Sequence, residues 1–331
     1  MPTRTRLTPM KSVDNFIKHY RNNVAPILRD LEPERRALLL LFWTGVVFLA
    51  ASAPGFVLSL RSDQPVYLLA AAPFVIVAVY QFYRFKQKKR AYADVFKNCV
   101  IRELVALIDP HFDYFPHRHI DEADYRESEL FRNRIDRYRG RDLVEGALGA
   151  TRFFFSELMH EEMQETTDAK GCRRTRWETV FKGLFFIADF NKPFHGKTYV
   201  VPDARGSVLN LGKLFEKGSF GRGDIVELEN PEFDALFTVY GTDQIVARYI
   251  LSSAMMDRLV HFRNKADTPV HLSFINSKMF VALPLSKDLF APKIFSSGVQ
   301  SACLRDYFRY LALVAGIVDD LNLNLRIWGK V

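Results

Sequence analysis

The chain has 331 residues, enough for about two domains, and 48% apolar, 25% charged and 14% aromatic residues, which excludes a disordered tail, a collagen and a disulfide scaffold. Its three cysteines, Cys99, Cys172 and Cys303, are odd in number and far apart, which fits free thiols in a reducing compartment and leaves no pattern for a structural zinc cluster. The net charge of +8 does not indicate nucleic acid: residues 1–36 carry eight basic and four acidic groups, residues 84–90 (RFKQKKR) carry five basic ones, and the bulk of the chain is close to neutral.

In chain order, residues 13–31 place Val13, Phe16, Ile17, Tyr20, Val24, Ile27, Leu28 and Leu31 at helical spacing behind Ser12. This predicts an amphipathic cytoplasmic helix within 1–36. Residues 37–60 hold no charged side chain, and neither do residues 66–83. Twenty-four residues make about 36 Å of helix, enough for a hydrocarbon core of about 30 Å, and the shorter run just suffices. The expectation is a transmembrane hairpin, 37–60 and 66–83, joined by a short extracytoplasmic turn at 61–65. Eight basic residues precede the first span, one lies in the turn and five follow the second. The positive-inside rule then places both termini in the cytoplasm. Arg35, Arg36, Arg84, Lys86, Lys88, Lys89 and Arg90 are the flanking cations expected to meet headgroups. Residues 84–124 follow as basic flank and stalk helix, with Val95, Phe96, Cys99, Val100, Leu104, Leu107 and Ile108 as a stripe that can pack on the first helix.

From about residue 125 the pattern turns to strands, with runs at 151–165 and 173–189 around the turn signal at 168–171, then 197–202, 224–229, 235–240, 270–275 and 278–284, the last two joined by Asn276-Ser277. Helices are expected over 243–265, with Ile245, Tyr249, Met256, Leu259 and Val260 on one face, and over 303–321. Residues 125–331 therefore read as a cytoplasmic α+β domain, an antiparallel sheet with two or more packed helices.

His111, His117 and His119, near Asp113, Asp121 and Glu122, are the densest candidate metal ligands. Their segment is bracketed by Pro110 and Pro116, a poor support for rigid ligands. His160-Glu161-Glu162 lacks the second histidine of a zinc-protease helix, and the loop 218–223 lacks the Gly-Lys-Ser/Thr of a phosphate loop. Asp189, Asn191, Lys192, His195 and Asp203 are the candidate ligand-binding groups, expected at one edge of the sheet. No catalytic residue set stands out, and nothing calls for a cofactor.

Several phrases in order resemble an uncharacterised family of bacterial membrane proteins catalogued as domain of unknown function number 3137. They are YRESELF (125–131), Arg141-Asp142-Leu143-Val144-Glu145-Gly146, FFFSEL (153–158), FKGLFFIADFNKPFHGKTYVVPD (181–203), FDALFTVYGTDQIVARYILSSAMMDRL (233–259) and LNLNLRIWGK (321–330). The resemblance implies a two-span protein of the inner membrane with a cytoplasmic C-terminal domain, and no established activity. The sequence reading is thus a membrane-tethered binding or scaffold module, with the lipid bilayer and a protein as partners, no nucleic acid, and room for a homo-oligomer. The competing reading is a membrane-associated enzyme, in particular a metal-dependent hydrolase.

Overall fold

The structure is a computed structural model that describes residues 20–62, 64, 66–149, 151–167, 173–190, 194–203 and 222–296, and positions 307, 311, 313, 314, 316, 317 and 321. Two compact units result, one built on residues 8–107 with 290–307, the other on 108–289 with the terminal segments.

The first unit is a pair of long helices. A π-helical turn, Tyr20–Val24, leads into α1 (Ala25–Ser62); α2 (Val66–Phe96) returns and continues through a second π-turn, Lys97–Ile101, into α3 (Arg102–Ile108). Small residues explain how closely α1 and α2 approach. Leu38, Gly45 and Ser52 are buried at seven-residue intervals and face a second series containing Ala71 and Ala78. A Cβ at Gly45 would lie 3.2 Å from the Phe82 ring, and one at Gly55 only 3.0 Å from the Tyr67 carbonyl oxygen. A 3.5-residue period winds such a pair left-handedly, and small residues let the backbones meet. The hydroxyls of Thr44 and Ser52 donate to the Leu41 and Leu49 carbonyls of their own helix. Farther along, Val24, Ala25, Leu28 and Leu31 of the first helix and Tyr92, Phe96, Val100, Ile101 and Leu104 of the second are all buried.

Between these regions, Leu40, Val47, Leu60, Leu69, Ile76 and Val79 are 63–73% exposed. Arg35 departs from the role expected of it. It is buried, its guanidinium holding Glu32 (2.6 Å) and the Ile294 carbonyl (2.8 Å), so it is not a headgroup-facing cation. The hydrogen bonds that Arg35 donates to Glu32 raise the pKa of Arg35 and lower that of Glu32. Arg36, Arg84, Lys86, Lys88, Lys89 and Arg90 do face outward.

The second unit is α+β. Its strands are β1 (Asp113–Phe115), β2 (Arg137–Leu148), β3 (Thr151–Thr167), β4 (Arg173–Asp189), β5 (Lys197–Pro202), β6 (Asp224–Ile225), β7 (Phe237–Gly241), β8 (His271–Ile275) and β9 (Lys278–Pro284). Among the described residues they form one antiparallel sheet in the order β1-β2-β3-β4-β9-β8-β5-β7-β6. A short helix, α4 (Glu122–Glu127), and the segment after it lay Tyr125, Leu130 and Phe131 over Leu143, Leu158, Phe185, Ile187 and Phe280 on one face. Tyr125 is the hub of this core, with its ring 5.0 Å from Phe185 and its hydroxyl 3.1 Å from His160 Nδ1. The β3–β4 hairpin outruns its neighbours. β2 pairs with β3 only to Glu161 and β9 with β4 only from Gly183, so Glu162–Thr167 and Arg173–Glu178 continue as a two-stranded ribbon. At its root the Arg137 guanidinium stacks on Trp177, 3.4 Å from the ring centre.

The expected hairpin partners, β5 and the β8–β9 pair match the sequence reading, whereas other elements depart from it. β2 and α4 arise where no strand or helix was expected, and the 224–229 run shortens to β6. The helix expected over 243–265 is two, α6 (Gln244–Ile250) and α7 (Ser253–Ala266), after the one-turn α5 (Pro231–Asp234). Asp243 caps α6 through its side chain, whereas Leu251 leaves helical geometry (φ −91°, ψ 57°) and the chain restarts after extended Ser252. The break rotates the faces, so Ile245 is 80% exposed while Met256 and Leu259 are buried. Of the expected 303–321 helix, Tyr307, Leu311, Leu313, Val314, Gly316 and Ile317 are described and helical. Cys172, Cys303, the 168–171 turn and residues 13–19 of the first helix lie outside the described residues.

Candidate functional site

A cleft of about 180 Å³ opens on the core-bearing face of the sheet, beside the edge of α4. Its floor follows from strand register. Glu145 of β2, Phe154 of β3 and Ile187 of β4 stand side by side, and two residues on, Asp189 pairs with Lys278 of β9. Phe153, Phe154 and Phe155 alternate across the sheet. The outer two are buried in the opposite face, which leaves Phe154 39% exposed on the cleft floor.

The wall is the segment after β1, which brings Arg118, His119, Ile120 and Asp121 to the cleft. This segment is pinned along its length. Asp142 N donates to the Pro116 carbonyl and Leu143 N to the Arg118 carbonyl. Ile120 N donates to Ser156 Oγ at 3.1 Å, and the Tyr138 hydroxyl to the Ile120 carbonyl at 2.8 Å. Asp142 adopts φ 63° at the β2 bulge where this zipper forms. Gly140 is required beneath it, because a Cβ there would lie 2.6 Å from both His119 Cβ and Leu158 Cδ2. His119 sits edge-on to Tyr138, with Nδ1 2.9 Å from the Ile120 carbonyl, and Arg118 reaches Glu145 at 3.3 Å.

Charges of both signs rim an apolar floor. Lys278 Nζ donates to Glu127 at 2.7 Å and lies 3.7 Å from Asp124. Burial by itself would lower the Lys278 pKa, but the bond to Glu127 and the fields of Asp124 and Asp189 outweigh it and raise the value. For Glu127, burial raises and the Lys278 and Asn276 bonds lower, with a net downward shift. Both stay ionised at neutral pH. The cleft thus offers cations (Arg118, Arg152, Lys278), carboxylates (Asp121, Asp124, Glu145, Asp189) and an exposed phenyl ring. Such a surface suits a ligand carrying both charges and an apolar part, such as a peptide segment.

The candidate residues are partly brought together. His119 and Asp189 share the cleft with Asp121, although 70 residues separate the first two in sequence. His195 is exposed, two residues before β5, at the same strand end as Asp189 but three strands along the sheet, about 14 Å. Asp203 departs from the expected single edge. β5 runs opposite to β4, so Asp203 lies at the far end, where its N–H donates to the Leu236 carbonyl. Asn191 and Lys192 lie outside the described residues. Of the histidines, His111 pairs with Asp109 (2.8 Å) and is 90% exposed, and His117 is exposed. Among the described residues, no three His, Cys, Asp or Glu side chains gather as a metal site would require. Sequence reading missed Arg118, Glu145, Arg152 and Lys278 as cleft residues; the alternation of Phe153–Phe155 was the one signal that could have pointed to Phe154.

Residues 179–323 match the family model described as "Protein of unknown function (DUF3137)". That stretch holds the second part of β4 and all of β5 to β9, and with them Asp189 and Lys278. No curated protein matches the chain. Among solved structures, the crystal structure of the mycobacterial trehalose monomycolate transport factor A, TtfA, is similar at 12% identity and a TM-score of 0.33, over 69% of this chain and 96% of that one.

Proposed function

We propose that this is a two-span inner-membrane protein with both termini in the cytoplasm, whose α+β unit binds a protein segment or small ligand beside the bilayer. The observation that carries the reading is the outward apolar surface of α1 and α2. Six side chains, Leu40, Val47, Leu60, Leu69, Ile76 and Val79, are 63–73% exposed where a soluble hairpin would bury them. Leaving six such groups in water forgoes on the order of 10 kcal/mol, the whole stability of a typical domain, whereas lipid restores it. The helices from Asn22 to Ser62 and from Val66 to Ile108 are also long and apolar enough to cross a membrane. The orientation rests on the basic flanks, which remain lopsided when Arg35 is discounted. The binding role rests on the cleft around His119, Phe154, Asp189 and Lys278.

Reporter fusions at Val331 and within 61–65 should give opposite compartment signals; a cytoplasmic signal from the turn overturns the topology. For the cleft, His119→Ala combined with Asp189→Asn should leave the protein folded and in the membrane but abolish complementation of a deletion phenotype. Full complementation by that variant removes the cleft from the function.

A further inference from the structure

The first unit holds a second cleft, of about 250 Å³, between α1 and α2 where their uncharged stretches end. Ala37, Leu38 and Ala91 form its apolar surface, Tyr92 backs it, and one charge of each sign lines it: Glu34 from α1 and Lys88 from α2. Both charged side chains are exposed, and no ion pair joins either to a described residue. We infer that this cleft is a binding site for the headgroup of a zwitterionic aminophospholipid, phosphatidylethanolamine, with Lys88 meeting the phosphate and Glu34 the ammonium.

The depth fits. Glu34 lies three residues outside the uncharged run of α1, and Lys88 five residues beyond that of α2, about 4.5 and 7.5 Å along the axes. The interfacial layer of one leaflet is about 5–7.5 Å thick, so both charges fall at headgroup level while the exposed Ala37 meets the start of the acyl chains. The chemistry distinguishes lipids. The outward Arg84, Lys86, Lys89 and Arg90 attract any anionic surface, but a carboxylate in the same cleft as a lysine penalises a purely anionic headgroup and favours one that brings its own cation. The second carboxylate nearby, Glu32, is already held by Arg35, so Glu34 is the one left facing the cleft. The inference rests on the two-span reading above and adds a ligand to it.

The test uses the full-length protein in nanodiscs of equal phosphatidylethanolamine and phosphatidylglycerol, followed by detergent transfer and mass-spectrometric counting of retained lipid. The expected result is phosphatidylethanolamine enriched about two- to fivefold, the range one exposed ion pair supplies. Glu34→Gln should bring the ratio to one while phosphatidylglycerol is still retained, and Lys88→Gln should lower retention of both. Ala91→Trp, which fills the cleft and leaves both charges in place, should lower retention as well. Equal retention by the native protein, enrichment unchanged in Glu34→Gln, or displacement of the lipid by inorganic phosphate overturns the inference. A protein released from membranes by alkaline carbonate defeats the two-span reading and this site with it; one that stays embedded but retains both lipids alike defeats this site alone.

Discussion

Mild acid should weaken the sheet unit before its carboxylates titrate, because two histidines are buried in the neutral form. His271 of β8 is 1% exposed, and burial, reinforced by the fields of Arg222 and Arg263, pushes its pKa down to about 3. His160 is shifted in the same direction, again mainly by burial; it accepts from the Tyr125 hydroxyl at Nδ1 and points Nε2 at the Arg134 carbonyl. A folded-state pKa below the unfolded value of about 6.5 means that the unfolded chain takes up the proton first. Stability is therefore full above about pH 6.5 and falls as the pH drops towards the folded value. For His271, between pH 6.5 and 4.5 the loss comes to about 2.7 kcal/mol, at 1.36 kcal/mol per pH unit, and His160 adds to it. That is a large share of the roughly 5–15 kcal/mol a domain holds. The assay is urea unfolding of the full chain in detergent, followed by the fluorescence of Trp177 in β4 with Trp43 and Trp328 replaced by Phe. His271→Phe should flatten the slope by about 1.4 kcal/mol per pH unit in this window, whatever it does to stability at pH 8. An unchanged slope in that variant would refute the argument.

Removing only the Tyr125 hydroxyl (Tyr125→Phe) should cost about 1–3 kcal/mol in the same urea assay, because it strands a buried His160 nitrogen while keeping the ring contacts. In the helical unit, Arg35→Ala should lower the melting temperature in detergent, losing bonds to Glu32 and the Ile294 carbonyl, whereas Arg36→Ala, at a 75% exposed side chain, should change stability by less than about 0.5 kcal/mol. Gly140→Ala should destabilise the sheet unit by about 1–3 kcal/mol and raise hydrogen exchange in residues 116–121, since its methyl group would collide with His119 Cβ.

What the sequence made legible follows the range of the forces involved. The β3–β4 strands, β5 and β8–β9 announce themselves by apolar runs and local turn signals, and the two long helices by an absence of charge. β2 (RYRGRDLVEGAL) does not, because its arginines pair with glutamates of β3: Arg139 with Glu161 at 2.9 Å and Arg141 with Glu157 at 2.7 Å. Its bulge at Asp142 also interrupts the alternation that marks a strand. The α6–α7 break turns on a single non-helical residue, Leu251, that no periodicity flags. Within the site, His119 and Asp189 were each visible as polar residues near turns. Their meeting depends on the β2–β3–β4 register, and the same topology sends Asp203 to the far end of its strand.

The strand order also carries a timetable. β4 emerges from the ribosome with β3 already made to cover one edge, but its other edge waits for β9, since Gly183 pairs with Pro284. At about 5–20 residues per second, the hundred residues between them take roughly 5–20 seconds to synthesise. Through that interval the edge of Gly183–Asp189, with Leu184, Phe185, Phe186 and Ile187 along it, is an open template for another strand. Nascent chains of this protein should therefore lean on a holdase during that gap, and truncations ending between β4 and β9 should aggregate where the complete chain does not.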